Sequence, residues 1–203
     1  MKIIILGATG KIGSAIVRDL VARHEIVSVG SRSGDLQVDY TDGDSVRSMF
    51  KSVGSFDGLV CVVGGDSAFK PYGQLTNADF ELGFRRKFLA QLNLVRVGTD
   101  FAADGASFTL SSGFLSHYPN SASVATGPFN AAVDALATSL SPLLPRGLRI
   151  NVVSPAPVVP ADRVGRGLVS AEQVAAALVR CVEGDFPGRV LRAWGGLEKE
   201  HAI

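Results

Sequence analysis

The run that most limits what this chain can become is its beginning, "KIIILGATGKIG", residues 2–13. "KIIIL" (2–6) reads as a buried strand, and glycines then follow at positions 7, 10 and 13. From Lys11 to Arg23 the apolar residues Ile12, Ala15, Ile16, Leu20 and Val21 fall on one helical stripe. A strand that turns through glycines directly into a helix is the opening unit of a parallel α/β sheet. Each glycine has a physical task. Gly7 permits the tight turn, Gly10 lets backbone N–H groups approach a pyrophosphate, and Gly13 allows close helix–strand packing. The helix N-terminus favours the negative charge. Gly7, Thr9, Gly10, Lys11, Ile12 and Gly13 are therefore the candidate cradle for a dinucleotide.

The same alternation continues to the end of the chain. "EIVSVG" (25–30) reads as a second strand and "LQVDY" (36–40) as a short third, with only "SRSG" at 31–34 between them, so the usual helix between these strands is missing. A helix is expected over about 44–53, then a strand "GLVCVVGG" (58–65) that ends on the paired glycines Gly64 and Gly65. A long helix capped by Thr76 or Asn77 is expected to run to about Ala102, followed by a strand "SFTLSS" (107–112). Pro128 suits the first turn of the next helix, with Thr126 or Gly127 as its cap. "LRINVVSP" (148–155), a helix capped by Ser170 and a final strand "RVLRAW" (189–194) complete the set. The implied architecture is a doubly wound α/β Rossmann fold, a parallel sheet with helices on both faces. No repeat, linker or low-complexity tract interrupts it, so residues 1–203 read as a single domain.

Cofactor preference is expected near the end of the second strand, about twenty residues past the glycines. An acid there would bond a ribose 2′-hydroxyl; this chain instead has Ser31, Arg32 and Ser33, and its first acid is Asp35. A guanidinium with two hydroxyls suits a 2′-phosphate, which favours NADP(H). Arg32 as a plain solvated loop residue is the alternative. Asp39 is placed to accept from the adenine amine, or else to cap the helix that follows in "DYTDGD".

Composition removes other classes of function. Twenty Lys and Arg against nineteen Asp and Glu give a net charge of +1, and the longest basic run is "RRK" at 85–87. That is too little clustered charge for a nucleic-acid groove or a polybasic membrane contact. No apolar run approaches the ~18 residues of a membrane span, and the opening run lacks a signal-peptide pattern. Cys61 and Cys181 are isolated, which suggests buried reduced thiols and a cytoplasmic protein. His24, His117 and His201 are far apart, and no metal-ligand spacing occurs.

"GATGKIG", "VDYTD", "VVGG", "TLSSG" and above all "PRGLRINVVSPAPV" resemble segments of the short-chain dehydrogenase/reductase family, and the resemblance runs along nearly the whole chain. It implies an approximately seven-stranded sheet in the order 3-2-1-4-5-6-7, with Gly64 and Gly65 on the nicotinamide-ribose side and Pro155, Ala156 and Val158 flanking the nicotinamide. The family's chemistry uses a tyrosine as proton donor, a lysine four residues on that tunes it and holds the ribose, and a serine that bonds the developing oxyanion. Matching "NAAVDAL" to that pattern puts Asn130 at the lysine and Thr126 at the tyrosine, and Ser112 falls at or next to the serine; Ser111 alternates with it on the strand end, so only one of the two can face the cofactor, and Ser112 is favoured. The chain thus looks like a small divergent bacterial member lacking the Tyr–Lys pair. The short loop after Pro155 leaves little chain for a substrate lid.

A threonine hydroxyl is too weak an acid to replace a phenol. Asn130 can still bond a ribose hydroxyl, without charge. Three residues are candidates to refill the gap. Lys87 stands where many family members keep an asparagine beneath the catalytic lysine, and because Arg85, Arg86 and Lys87 diverge by about 100° each, they cannot all share one solvated face. His117 and Tyr118 lie in the loop between Ser112 and Thr126. Three functions stay open: an NADP(H)-dependent oxidoreductase on a small carbonyl-like substrate, a non-catalytic NADP-binding sensor or complex subunit, and a non-redox enzyme. Phe80, Phe84, Phe88 and Phe129 extend the apolar surface of the two helices beyond one stripe, and by resemblance these helices would form a homodimer or homotetramer interface.

Overall fold

Ile3, Ile4 and Ile5 are all fully buried, because their strand is covered on both sides. The side chains alternate between two separate cores. Ile4 and Leu6 join the core containing Phe50, Leu94 and Val133, whereas Ile3 and Ile5 join the one containing Ile16, Leu178 and Val182. The computed structural model describes residues 1–63 and 68–197. Seven strands form one parallel sheet in the order β3-β2-β1-β4-β5-β6-β7. They are β1 (Lys2–Leu6), β2 (Glu25–Gly30), β3 (Leu36–Gln37), β4 (Phe56–Cys61), β5 (Ala102–Ser111), β6 (Arg149–Pro155) and β7 (Val190–Ala193). Helices α1 (Lys11–Leu20) and α6 (Ala171–Glu183) cover one face. The other face is covered by α2 (Gly43–Val53), α4 (Ala90–Gly98) and α5 (Gly127–Leu140).

The expected element order holds, and several boundaries move for identifiable reasons. The third strand shrinks to Leu36–Gln37, held by Val29↔Leu36 and Gly30↔Gln37. Asp35 tightens this return, accepting from the Ser28 backbone N–H and hydroxyl, each at 2.8 Å. The fifth strand starts at Ala102, where the long helix was expected to end. That helix is three pieces: α3 (Asn77–Gly83), a π-helical turn (Phe84–Leu89) and α4. A π turn inserts one extra residue, and such turns concentrate at functional positions. Just before it, a Cβ on Gly83 would stand 2.7 Å from the Phe129 ring and 2.8 Å from the Ala125 carbonyl, so only glycine lets α3 pass α5 this closely. The first helix stops at Leu20 rather than Arg23, and β4 begins at Phe56 and ends at Cys61. Gly64, Gly65 and His201 lie outside the described residues.

The expected caps are present. Thr126 is the N-cap of α5, with Pro128 in its first turn, and Ser170 caps α6 in a reciprocal box with Gln173. The acid capping α2 is Asp42, not Asp39. No helix among the described residues is long and apolar enough to cross a membrane.

Candidate active site

The glycine loop is built for close approach. Gly7 has φ +86°, a conformation that L side chains rarely adopt. A Cβ on Gly13 would lie 2.0 Å from the Gly7 carbonyl, so α1 can start against the loop only with glycine there. The first turn of α1 carries no acidic residue and no side-chain cap. Its N–H groups are left for an external acceptor, and the helix dipole favours an anion there. Thr9 is fixed beside them by a 3.0 Å hydroxyl contact with Ser33. These features fit a dinucleotide diphosphate.

Three cavities hold other candidate residues. Ser31, Asp39 and Arg86 line one, with Val38, Tyr40 and Thr41. Asp39 accepts there from the Thr41 N–H and hydroxyl through Oδ1, at 2.9 and 2.6 Å, and these bonds, that of the hydroxyl foremost, hold its carboxyl below the usual range. Arg32 and Ser33 are exposed. Lys11 and Val158 share a second cleft, so Val158 does not join Pro155 and Ala156. The third cavity, of about 420 Å³, brings together Lys87, Ser112, Thr126, Asn130, Pro155 and Ala156. Phe69, Phe114, Leu115 and Pro157 make the rest of its wall mostly apolar, with Gly113 and Asn120.

Each polar group in that wall is positioned by a different element. Ser112 follows the end of β5, tied by its N–H to the Val153 carbonyl at 2.9 Å. Its hydroxyl is closed to solvent and meets no partner at hydrogen-bond geometry, and the same holds for the Thr126 hydroxyl. Asn130 is 3 % exposed. Its amide lies so close to Gly113 that a Cβ there would stand 2.9 Å from Nδ2. The π turn sends Arg85 and Arg86 outward and Lys87 inward, where its Nζ donates to the Ser112 carbonyl at 3.1 Å. Burial pushes the Lys87 amine down to about 8, against the opposing pull of Cys61 and Asp134. One turn on, Gln91 clamps the strand end: its amide donates to the Ser111 carbonyl at 2.9 Å and accepts from the Ser111 N–H at 3.0 Å. Of Ser111 and Ser112, Ser112 alone lines the cavity.

His117 and Tyr118 do not line it. Their rings pack on buried Trp194, with centroids 4.9 and 5.6 Å away. Among the described residues no group of three or more His, Cys, Asp or Glu could hold a metal ion.

The fold has counterparts among solved structures. Lin1944 from Listeria innocua superposes with a TM-score of 0.91 at 34 % identity, over 96 % of this chain and 100 % of that one. The chain belongs to the family of that Listeria protein. A small-chain dehydrogenase solved in complex with NADPH matches at 23 % identity, TM-score 0.86, over 97 % of each chain. BdcA in complex with NADPH matches at 22 % identity, TM-score 0.81, over 100 % of this chain and 97 % of that one. At these identities the two share its fold, which is that of the short-chain dehydrogenases/reductases. No family model and no curated protein sequence matches the chain.

Several residues of this site are not apparent in sequence. Gln91 stands four after Lys87 and Asp134 four after Asn130, spacings that put each on the same helix face as a candidate. That spacing was the available signal. Arg86, Phe69 and Asn120 carry none, since only the fold brings them to the cavities.

Proposed function

We propose that this chain is an NADP(H)-dependent oxidoreductase of short-chain dehydrogenase/reductase type, acting on a small, largely apolar carbonyl compound through a non-standard active site. The observation that carries the reading is Lys87, an ammonium 6 % exposed that lines the cavity beside Ser112 and Asn130. A charge held this far from water is costly, and a donor with a pKa near 8 is matched to proton transfer at neutral pH.

The first-turn N–H groups of α1 hold the diphosphate, and Ser31, Arg32 and Ser33 receive the 2′-phosphate. Asn130 bonds a ribose hydroxyl, and Pro155 and Ala156 flank the nicotinamide. When bound, the cofactor supplies a hydride. Lys87 gives the substrate oxygen its proton, with Ser112 and Thr126, whose hydroxyls are closed to solvent, in the wall beside it. Phe69, Phe114 and Leu115 exclude water. NADPH complexes of proteins with the same fold support the choice of cofactor.

The test is a parallel titration with NADPH and NADH followed by nicotinamide fluorescence, then NADPH oxidation across a panel of small aldehydes, ketones and imines. Tighter NADPH binding and carbonyl-dependent oxidation are expected. Binding of neither nucleotide would overturn the reading. Binding without turnover on any member of the panel would favour a nucleotide-binding sensor instead. Leu82 and Phe84 are 38 % and 43 % exposed on the α3–α5 face, and a second copy of the chain is expected to cover them. A monomer mass by light scattering at micromolar concentration would contradict this.

A further inference from the structure

The π turn Phe84–Leu89 serves two cavities from neighbouring positions. Lys87 lines the apolar one, and Arg86 lines the smaller one, of about 300 Å³, with Ser31, Asp39 and Tyr40. Every other residue of that smaller lining lies between 31 and 41, just after β2 or β3. Arg86 alone comes to it from the helical layer. The functional reading gives this guanidinium no task.

What enters the cavity is limited by its charge. Asp39 accepts from the Thr41 N–H and hydroxyl, both through Oδ1, so Oδ2 can accept from a ligand. These bonds hold the carboxyl below its usual range, and it is charged at neutral pH. A phosphate beside a fixed carboxylate is repelled. Arg32 and Ser33, the residues assigned to the 2′-phosphate, are not part of the lining. The cavity also lies at the low end of the size range of small-ligand sites, enough for one ring system and not for a dinucleotide. A neutral purine fits these limits. Its edge amine donates to Asp39, and buried Val38 offers its rings an apolar surface.

A purine held this way has flat faces to cover. A guanidinium is planar, always charged and weakly hydrated, and it stacks on aromatic faces. Arg85 precedes Arg86 on the same turn and is also exposed, yet it does not line the cavity. The placement is therefore particular to Arg86 and is not a general property of the basic run.

We propose that Arg86 is a cofactor-binding residue whose guanidinium covers a face of the purine base, and that it serves NADPH and NADH alike. This rests on the nucleotide reading above. It assigns the two exposed arginines different parts of one ligand, Arg32 the 2′-phosphate and Arg86 the base.

The experiment is a titration of the native chain, Arg86→Ala and Arg85→Ala with NADPH and with NADH, followed by nicotinamide fluorescence, with Tm read on each variant. Arg86→Ala is expected to weaken both nucleotides by the same factor, about fivefold. Arg85→Ala should bind both as the native chain does. Loss confined to NADPH would put Arg86 on the 2′-phosphate and overturn the proposal. Native affinity for both nucleotides in Arg86→Ala, or an equal loss in Arg85→Ala, would overturn it too. Arg86→Lys keeps the charge and the long stem without the plane, and should recover only part of the loss. Native binding by Arg86→Lys would mean that charge alone acts, which rules out the stack and settles the matter even if Arg86→Ala does not fold. Binding of neither nucleotide by the native chain is the separate failure of the functional reading, and it removes this inference as well.

Discussion

The glycine loop and the cavity around Lys87 are made in opposite ways. At the nucleotide end the binding surface is backbone: a strand, a loop of glycines and the bare first turn of α1, all within residues 2–13. At the cavity end it is side chains, with Lys87, Ser112 and Asn130 arriving from separate elements and buried together. A backbone site forces glycine at fixed positions, because any Cβ would collide. A side-chain site tolerates many residue types at each position and depends on the fold to assemble them. The first is therefore written locally in sequence and the second is not.

Lys87→Met breaks the cavity end and tests its chemistry with the largest expected effect. Methionine keeps the unbranched apolar stem and removes a buried charge, so stability should be unchanged or rise. Turnover should fall about 100-fold or more, in the range typical of lost general acid catalysis, while NADPH affinity stays within about twofold. A variant that turns over at the native rate would remove Lys87 from the mechanism.

At the nucleotide end the glycines separate fold from binding. Gly13→Ala places a Cβ 2.0 Å from the Gly7 carbonyl and 2.7 Å from the Ala8 Cα, both backbone atoms that cannot swing aside. A loss of about 3 kcal/mol is expected, or roughly 9 °C in Tm. Gly10→Ala meets only the Gly7 carbonyl, at 3.2 Å, so its Tm should change little. Its added methyl instead faces the diphosphate, and NADPH affinity should drop about tenfold, or about 1.4 kcal/mol. If Gly10→Ala loses stability and keeps affinity, the loop is a packing device and the comparison fails.

The same contrast explains what could be read from sequence. The order of strands and helices was legible because a strand buried on both faces must be apolar throughout, as in "KIIIL", while its covering helices must be striped. The glycine loop was legible for the steric reason just given. Lys87 was legible by its place in the family resemblance and by elimination, since three consecutive helical residues point three ways. The π turn that carries it was not, because its signal is one inserted residue in a helix that otherwise looks continuous. Asp39 shows the limit of local reading in "DYTDGD", where three acids compete for one cap and Asp42 takes it. Asp134 stood in plain view in "NAAVDAL". Nothing in its neighbours says that its carboxylate oxygens are closed to solvent.

Arg32→Ala sharpens the nucleotide end with a smaller effect. Arg32 is exposed, so its removal should leave Tm unaltered. A charge-assisted contact to a 2′-phosphate is worth about 1.5–3 kcal/mol, which solvent screening reduces at an exposed site. NADPH affinity is expected to fall roughly tenfold while NADH affinity holds. Equal loss of both would place Arg32 on the shared diphosphate rather than on the 2′-phosphate.

The smallest effect tests whether the cavity end really carries its charge at a cost. The Lys87 pKa is lowered from 10.5 to about 8 by burial. Below that value folded and unfolded chains both hold the proton, and Lys87 adds no pH dependence. Above it the unfolded chain binds the proton and the folded chain does not, so this group makes stability rise with pH. Cys61, raised from 9.0 to about 11, pulls the other way once pH passes 9. The clean window is therefore between pH 8 and 9, and the quantity to read is native minus Lys87→Met by urea unfolding. That difference should grow by about 1 kcal/mol across the window. A flat difference would mean that Lys87 keeps its ordinary pKa, and that the cavity wall is wetter than its burial indicates.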